Sequence, residues 1–134
     1  KNIELLFESF RPVVAQIDEV KMTQVISNLV ENSIKYNVED GWVHVSLNAD
    51  YQYFYIRVEE SGIGIPEERI SKIFERFYRV DKARSRETGG TGLGLAIVKN
   101  IILMHHGTIK VHSEENIGTT FTMRIPLNYV DSQQ

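Results

Sequence analysis

Three side chains able to meet a charged ligand recur at helical spacing: Asn28, Asn32 and Lys35, at i, i+4 and i+7, with Gln24 one turn earlier. On an α-helix these positions share one stripe. Asparagine is a mediocre helix former because its amide competes for backbone hydrogen bonds, so two within one helix call for a reason. One reading is a solvated polar face. The other is a polar wall, since an amide oxygen suits Mg2+ and an ammonium suits a phosphate. Glycine supplies a second set: of nine glycines, six lie between Gly62 and Gly94, in two clusters. Gly62-Ile63-Gly64 follows a strand-like run and the acidic pair Glu59-Glu60, and Gly89-Gly90-Thr91-Gly92-Leu93-Gly94 directly precedes an apolar helix. Glycine lets a backbone approach a ligand closely, and a helix N-terminus offers free N–H groups to phosphate. Taken singly, each cluster is equally compatible with a turn.

Several other chemistries have no anchor in the chain. Glu67 and Ile97 occupy the third glycine position of the dinucleotide fingerprint, and no Gly-Lys-Ser/Thr is present for a phosphate-loop NTPase. The His-Arg-Asp loop of eukaryotic-type kinases, the His-Glu-x-x-His of zinc proteases and the Gly-x-Ser-x-Gly of serine hydrolases are also missing. The absence of cysteine excludes a disulfide scaffold, a cysteine-ligated zinc site and a thiol nucleophile. Of the four histidines, His44 and His112 fall in strands, while His105 and His106 fall in the last turn of a helix, where the macrodipole favours positive charge.

The elements that must position these groups follow from periodicity. Residues 3–7 and 13–17 read as short strands around Arg11-Pro12. Met22, Val25, Ile26, Leu29 and Val30 form the apolar face of a helix starting after Asp18, a suitable N-cap, and ending near Tyr36. Residues 42–47 and 53–58 alternate as a strand pair. Pro66 before Glu67 and Glu68 predicts a helix start, with Ile70, Ile73, Phe74 and Phe77 turned inward. Residues 79–91 lose periodicity. A helix over 93–106 capped by Gly107 follows, then strands over 108–113 and 119–127. Mixed strands and helices with a closing hairpin predict an α+β fold, with helices layered on one face of a sheet.

At 134 residues, 42% apolar and 25% charged, the chain has the size and balance of one domain spanning 1–134. Its longest apolar stretches, 93–98 and 101–104, fall far short of the roughly 20 residues that span a bilayer. A net charge of −3 argues against a nucleic-acid-binding surface. The charge is unevenly spread, however. Between Arg69 and Lys99 eight basic residues stand against three acidic ones, and elsewhere seven stand against fifteen. The positive segment includes the second glycine cluster, where a polyphosphate would be welcome.

Order and spacing together carry more than any one piece. The run Asn28-Leu29-Val30-Glu31-Asn32-Ser33-Ile34-Lys35-Tyr36 resembles the N box of bacterial sensor histidine kinases, and Glu60-Ser61-Gly62-Ile63-Gly64-Ile65 resembles their first glycine box. Ile73-Phe74-Glu75-Arg76-Phe77-Tyr78-Arg79 resembles the F box, and Gly90-Thr91-Gly92-Leu93-Gly94-Leu95-Ala96-Ile97 the second glycine box. All four stand in family order over essentially the whole chain. The resemblance implies the catalytic and ATP-binding domain of the GHKL superfamily, shared with gyrase, a heat-shock chaperone and MutL. That fold is a two-layer α/β sandwich, a mixed sheet backed by three helices, with ATP between the helices under a flexible lid.

Carried over residue by residue, the resemblance implies that Asn32 ligates Mg2+, Asn28 lies beside the phosphates and Lys35 touches them. Tyr36 would lie against the adenine, and Glu60, Gly62, Gly64 and Ile65 would shape its pocket. Residues 79–91 would form the lid, with Tyr78 and Arg79 at its start. The backbone of Gly90, Thr91, Gly92, Leu93, Gly94 and Leu95 would wrap the phosphates. Asn28, Lys35 and Arg79 would be the catalytic set, positioning groups and neutralising charge, as phosphoryl transfer requires. The implied cofactors are ATP and Mg2+. The implied partners are the dimerisation and histidine-phosphotransfer domain of the same protein, as a homodimer, and a response regulator. Neither nucleic acid nor membrane would touch the domain itself. The implied location is cytoplasmic, as the inner portion of a membrane-bound receptor kinase.

Two departures from the family pattern stand out. The usual aspartate two residues before the first glycine of the first glycine box is Glu60 here. One methylene moves the carboxyl by about 1.5 Å, so weakened but retained ATP binding is expected, with Glu60→Asp tightening it. The second is the lack of a His-Glu-Leu-Arg-Thr-Pro-like acceptor box around any histidine. The helical hairpin carrying it is therefore expected upstream of Lys1. Where hydrolytic members of the fold carry a glutamate base, Asn28 stands, in keeping with transfer to histidine rather than to water. The competing functions are a degenerate module that keeps only partner contact and an anti-sigma-factor serine kinase of the same fold. The Tyr78-Arg79-Val80-Asp81-Lys82-Ala83-Arg84 run favours the sensor-kinase type over the latter.

Overall fold

Asp18 starts the first helix as expected. Its carboxylate accepts the Lys21 N–H at 3.1 Å, so α1 runs Glu19–Lys35 with Tyr36 as its C-cap. An acidic first turn (Glu19) and a basic last turn (Lys35) complement the helix dipole. The computed structural model describes residues 2–10, 15–75 and 94–128. Five strands form one mixed sheet in the order β1-β2-β3-β5-β4: β1 (Glu4–Ser9), β2 (Trp42–Ala49), β3 (Tyr53–Ser61), β4 (Thr108–Glu114) and β5 (Gly118–Pro126). β1 pairs parallel to β2, and the other pairings are antiparallel. The second α-helix, α2 (Gly94–Met104), packs with α1 on one face.

Strand alternation decides which side chains meet the helices. Phe54, Ile56 and Val58 of β3 lie opposite Ile125, Met123 and Phe121 of β5, all buried against Val25 and Leu29 of α1 and Val98 and Ile102 of α2. Continuing this inward row by one step places Glu60 opposite Thr119, so the core face of the sheet turns polar at one end.

Three expectations need correction. The segment after Pro66 is a 3-10 helix over Glu67–Lys72, not an α-helix, and Arg69 N–H donates to the Pro66 carbonyl at 2.9 Å. The tighter helix still buries Ile73 and half-buries Ile70 and Phe74. Phe74 meets Phe121 edge-on at 6.5 Å. Residues 15–17 form no strand, although Gln16 N–H donates to the Leu127 carbonyl, and 11–14 lie outside the described residues. The left-handed residue that ends α2 is His106 (φ 61°), not Gly107. The His106 and Gly107 N–H groups bond Leu103 and Ile102 carbonyls at 3.0 and 2.9 Å, closing a Schellman motif. Phe77 and the expected lid at 79–91 lie outside the described residues. Among the described residues, no helix is long and apolar enough to cross a membrane.

Candidate functional site

α1 is anchored in the core by Met22, Val25 and Leu29, and the Asn28 part of its polar stripe meets the start of α2. Asn28 is half-buried there, and its amide donates to the Gly94 carbonyl at 3.4 Å. One turn on, Asn32 reaches a cleft of about 520 Å3 that opens to solvent. Tyr36, Glu60, Gly64, Ile65 and Leu95 also line it, so six of the residues singled out from the sequence converge on one hollow. Lys35, in the last turn of α1, is half-buried and is not part of the cleft wall. Tyr78, Arg79, Gly90, Thr91, Gly92 and Leu93 lie outside the described residues.

Loop geometry aligns the two sides of the cleft. The Ile63 N–H donates to the Tyr36 carbonyl at 3.2 Å, tying the first glycine cluster to the end of α1. Gly64 sits at φ 71°, a conformation that side chains disfavour. Gly62 is required by proximity: a Cβ there would lie 2.6 Å from Glu60 Oε2 and 2.7 Å from the Tyr36 carbonyl oxygen. Asn37, fully buried, staples the neighbouring turn. Its amide donates to the Trp42 carbonyl at 3.0 Å, and its Oδ1 accepts from Val38 N–H and Ser61 Oγ–H at 2.8 and 2.9 Å.

Glu60 is the electrostatic centre of the cleft. It is 6% exposed, and its Oε2 has no hydrogen-bond partner. Burial pushes its carboxyl up to about 8, outweighing hydrogen bonds from the Thr119 side chain and backbone, which pull the other way. Behind it, Thr119 Oγ1 and Ser113 Oγ lie 2.7 Å apart, and Ser113 Oγ accepts the Ile65 N–H at 2.8 Å.

Ile63 lines the cleft as a member of the first glycine box, and three wall residues escaped the sequence reading as pocket residues: Ile73, Thr119 and Phe121. For Thr119 a signal existed. It shares the inward row of β5 with Phe121, Met123 and Ile125, and a polar residue on an otherwise apolar row points to something polar opposite. Ile73 was expected inward, but as core rather than as pocket wall.

A mixed sheet with helices on one face, and a cleft between an asparagine-bearing helix and a glycine-shaped loop, defines an ATP-binding domain of the histidine-kinase type. The chain belongs to the family of histidine kinase-, DNA gyrase B- and HSP90-like ATPases, which matches residues 17–129. It is 46% identical over 126 residues to the sensor histidine kinase WalK of Bacillus subtilis, covering 92% of this chain and 20% of that protein. To the sensor protein kinase WalK of Staphylococcus haemolyticus it is 47% identical over 121 residues, covering 89% and 20%. The chain thus spans about a fifth of the length of these relatives.

Solved structures agree. The catalytic domain of histidine kinase ThkA superposes with a TM-score of 0.81 at 35% identity, over 96% of this chain and 82% of that one. Full-length ShkA in complex with AMPPNP gives 0.80 at 27% identity, over 99% and 27%.

Proposed function

We propose that this chain binds Mg-ATP in the cleft between α1, the end of β3 and the start of α2. From there it donates the γ-phosphoryl group to a histidine on the dimerisation domain of the same protein, in a homodimeric, cytoplasmic kinase that feeds a response regulator. The observation that carries the reading is the convergence of Asn32, Tyr36 and Glu60, from two separate elements, on one cleft. The ShkA relative was solved with a non-hydrolysable ATP analogue, which supports a nucleotide in the corresponding place.

The side chains divide the work. Glu60 and Thr119 meet the edge of the base, and Tyr36, Ile63 and Ile65 take its faces. Asn28 and Asn32 follow one side of α1 toward Gly94, where α2 begins and its N-terminal dipole favours phosphate. Among the described residues no three acidic or histidine side chains gather to hold a metal. Mg2+ needs no such cage, because it commonly takes one or two protein oxygens and completes its shell with phosphates and water. The Asn32 amide oxygen fits that part, and the ion would neutralise phosphate charge. Lys35, in the last turn of α1, would reach the phosphates from beside the cleft. Tyr78, Arg79 and the 90–93 backbone would complete the phosphate side.

The test is transfer in trans. The chain is mixed with the isolated helical hairpin of its own full-length protein and γ-labelled ATP, and labelling of the hairpin histidine is expected. Binding of ATP without any labelling would overturn the transfer step. A degenerate partner-binding module would need neither the asparagine stripe nor the open cleft, and it is not favoured.

A further inference from the structure

Glu60 extends the nucleotide reading, on which the following rests, in a direction the family resemblance does not supply. An aspartate at this position would act as a carboxylate that accepts a hydrogen bond. Here the carboxyl is asymmetric: Thr119 supplies its hydrogen bonds, while Oε2 is buried in the cleft wall without a partner. An anionic oxygen left without a donor in a dry site is poorly tolerated, whereas a hydroxyl there lacks only an acceptor. The geometry points to Glu60 as a hydrogen-bond donor to the base, its Oε2–H directed at a ring nitrogen that carries a lone pair beside an exocyclic amine, as N1 of adenine does.

The surroundings support the neutral form. Tyr36, at the end of α1, is the one other titratable side chain lining the cleft among the described residues. From β5, β2 and α2 the neighbours are Thr119, Val43 and Leu95, none of them charged. Burial is what raises the carboxyl, to about 8 against the lowering pull of the Thr119 hydrogen bonds, with no ion pair involved. A base whose ring nitrogen carries a proton at this position, as guanine does, would set donor against donor and be refused. The extra methylene of Glu60 would then lengthen the arm of a proton donor, so that Glu60 need not merely impair the usual contact.

The experiment is a binding titration of this chain with ATP and with 1-deaza-ATP, which keeps the amine and replaces N1 by C–H. Both are measured at about pH 7 and about pH 9.5, where the phosphates are already ionised. The donor role predicts that 1-deaza-ATP binds about tenfold or more weakly than ATP at the lower pH. It also predicts that ATP affinity falls by up to about tenfold per pH unit once Glu60 ionises. Glu60→Gln, which keeps a neutral donor, should hold ATP within about threefold and lose that pH dependence. Equal binding of the two nucleotides, or ATP affinity that rises with pH, overturns the donor role while leaving the nucleotide site intact. Failure of ATP itself to bind overturns the site as well.

Discussion

His105, near the end of α2, accepts the Asp18 N–H on Nε2 at 3.0 Å, while its Nδ1 lies 2.9 Å from the Ile101 carbonyl. A backbone N–H can only donate and a carbonyl can only accept, so the two contacts suit the tautomer with its N–H on Nδ1. The residue that caps α1 is thereby fastened to the far end of α2. Together with the Asn28–Gly94 contact, this pins the antiparallel pair of helices at two points.

His105→Ala should lower stability by about 1 kcal/mol, the worth of one hydrogen bond near a helix start. Urea denaturation measures the loss. ATP affinity of the folded variant should be unchanged, because His105 is remote from the cleft wall.

Gly62→Ala should damage the site and the fold together. Its methyl would sit at 2.6 and 2.7 Å from Glu60 Oε2 and the Tyr36 carbonyl oxygen, and the second of these is backbone that cannot step aside. A loss of about 1–3 kcal/mol is expected from the overpacking. Thermal melting with and without nucleotide should show both a lower midpoint and a smaller shift on adding ATP.

Without ligand, stability should fall as pH rises between about 4.5 and about 8. Glu60 has its ordinary value of 4.5 when unfolded and about 8 when folded, so the folded chain keeps a proton across this window that the unfolded chain releases. Below the window both states hold the proton, and above it both have lost it, so the contribution levels off at each end. The slope contributed by this one group is at most about 1.4 kcal/mol per pH unit. Comparing melting curves of the parent chain and Glu60→Gln isolates it. A difference between the two that does not change across the window would contradict the burial argument.

Ser33→Ala should stabilise the chain. Ser33 faces the core at 1% exposure with Oγ unpartnered, and alanine removes the unsatisfied hydroxyl while improving helix propensity. An increase of about 1 kcal/mol in unfolding free energy is expected, read from the urea midpoint at constant slope.

The elements that position the site were largely legible in the chain. Asp18, the apolar spacing of Met22, Val25 and Leu29, and the alternation in β2 and β3 are local signals, and each element formed where they lie. The stripe Asn28–Asn32 and the Gly62–Gly64 loop were visible as local spacings too, although each alone also fits a solvated face or a turn, and only their order along the chain pointed to a site. What could not be read was long-range. Thr119 meets Glu60 only because β5 pairs antiparallel with β3 in one particular register. His105 pairs with Asp18 across 87 residues of sequence. The 3-10 form of Glu67–Lys72 was not legible either, because amphipathic spacing does not separate a short 3-10 helix from an α-helix.

In the proposed complex, Asn32, Tyr36 and Glu60 surround one adenine nucleotide with its magnesium ion. Calorimetric titration of Mg-ATP into this chain tests it most directly, with Asn32→Ala in parallel. One nucleotide per chain is expected, with an affinity about tenfold or more lower in the variant and most of that difference disappearing when magnesium is omitted. An absence of binding at about 1 mM nucleotide, or identical magnesium-dependent binding in the two proteins, would contradict it.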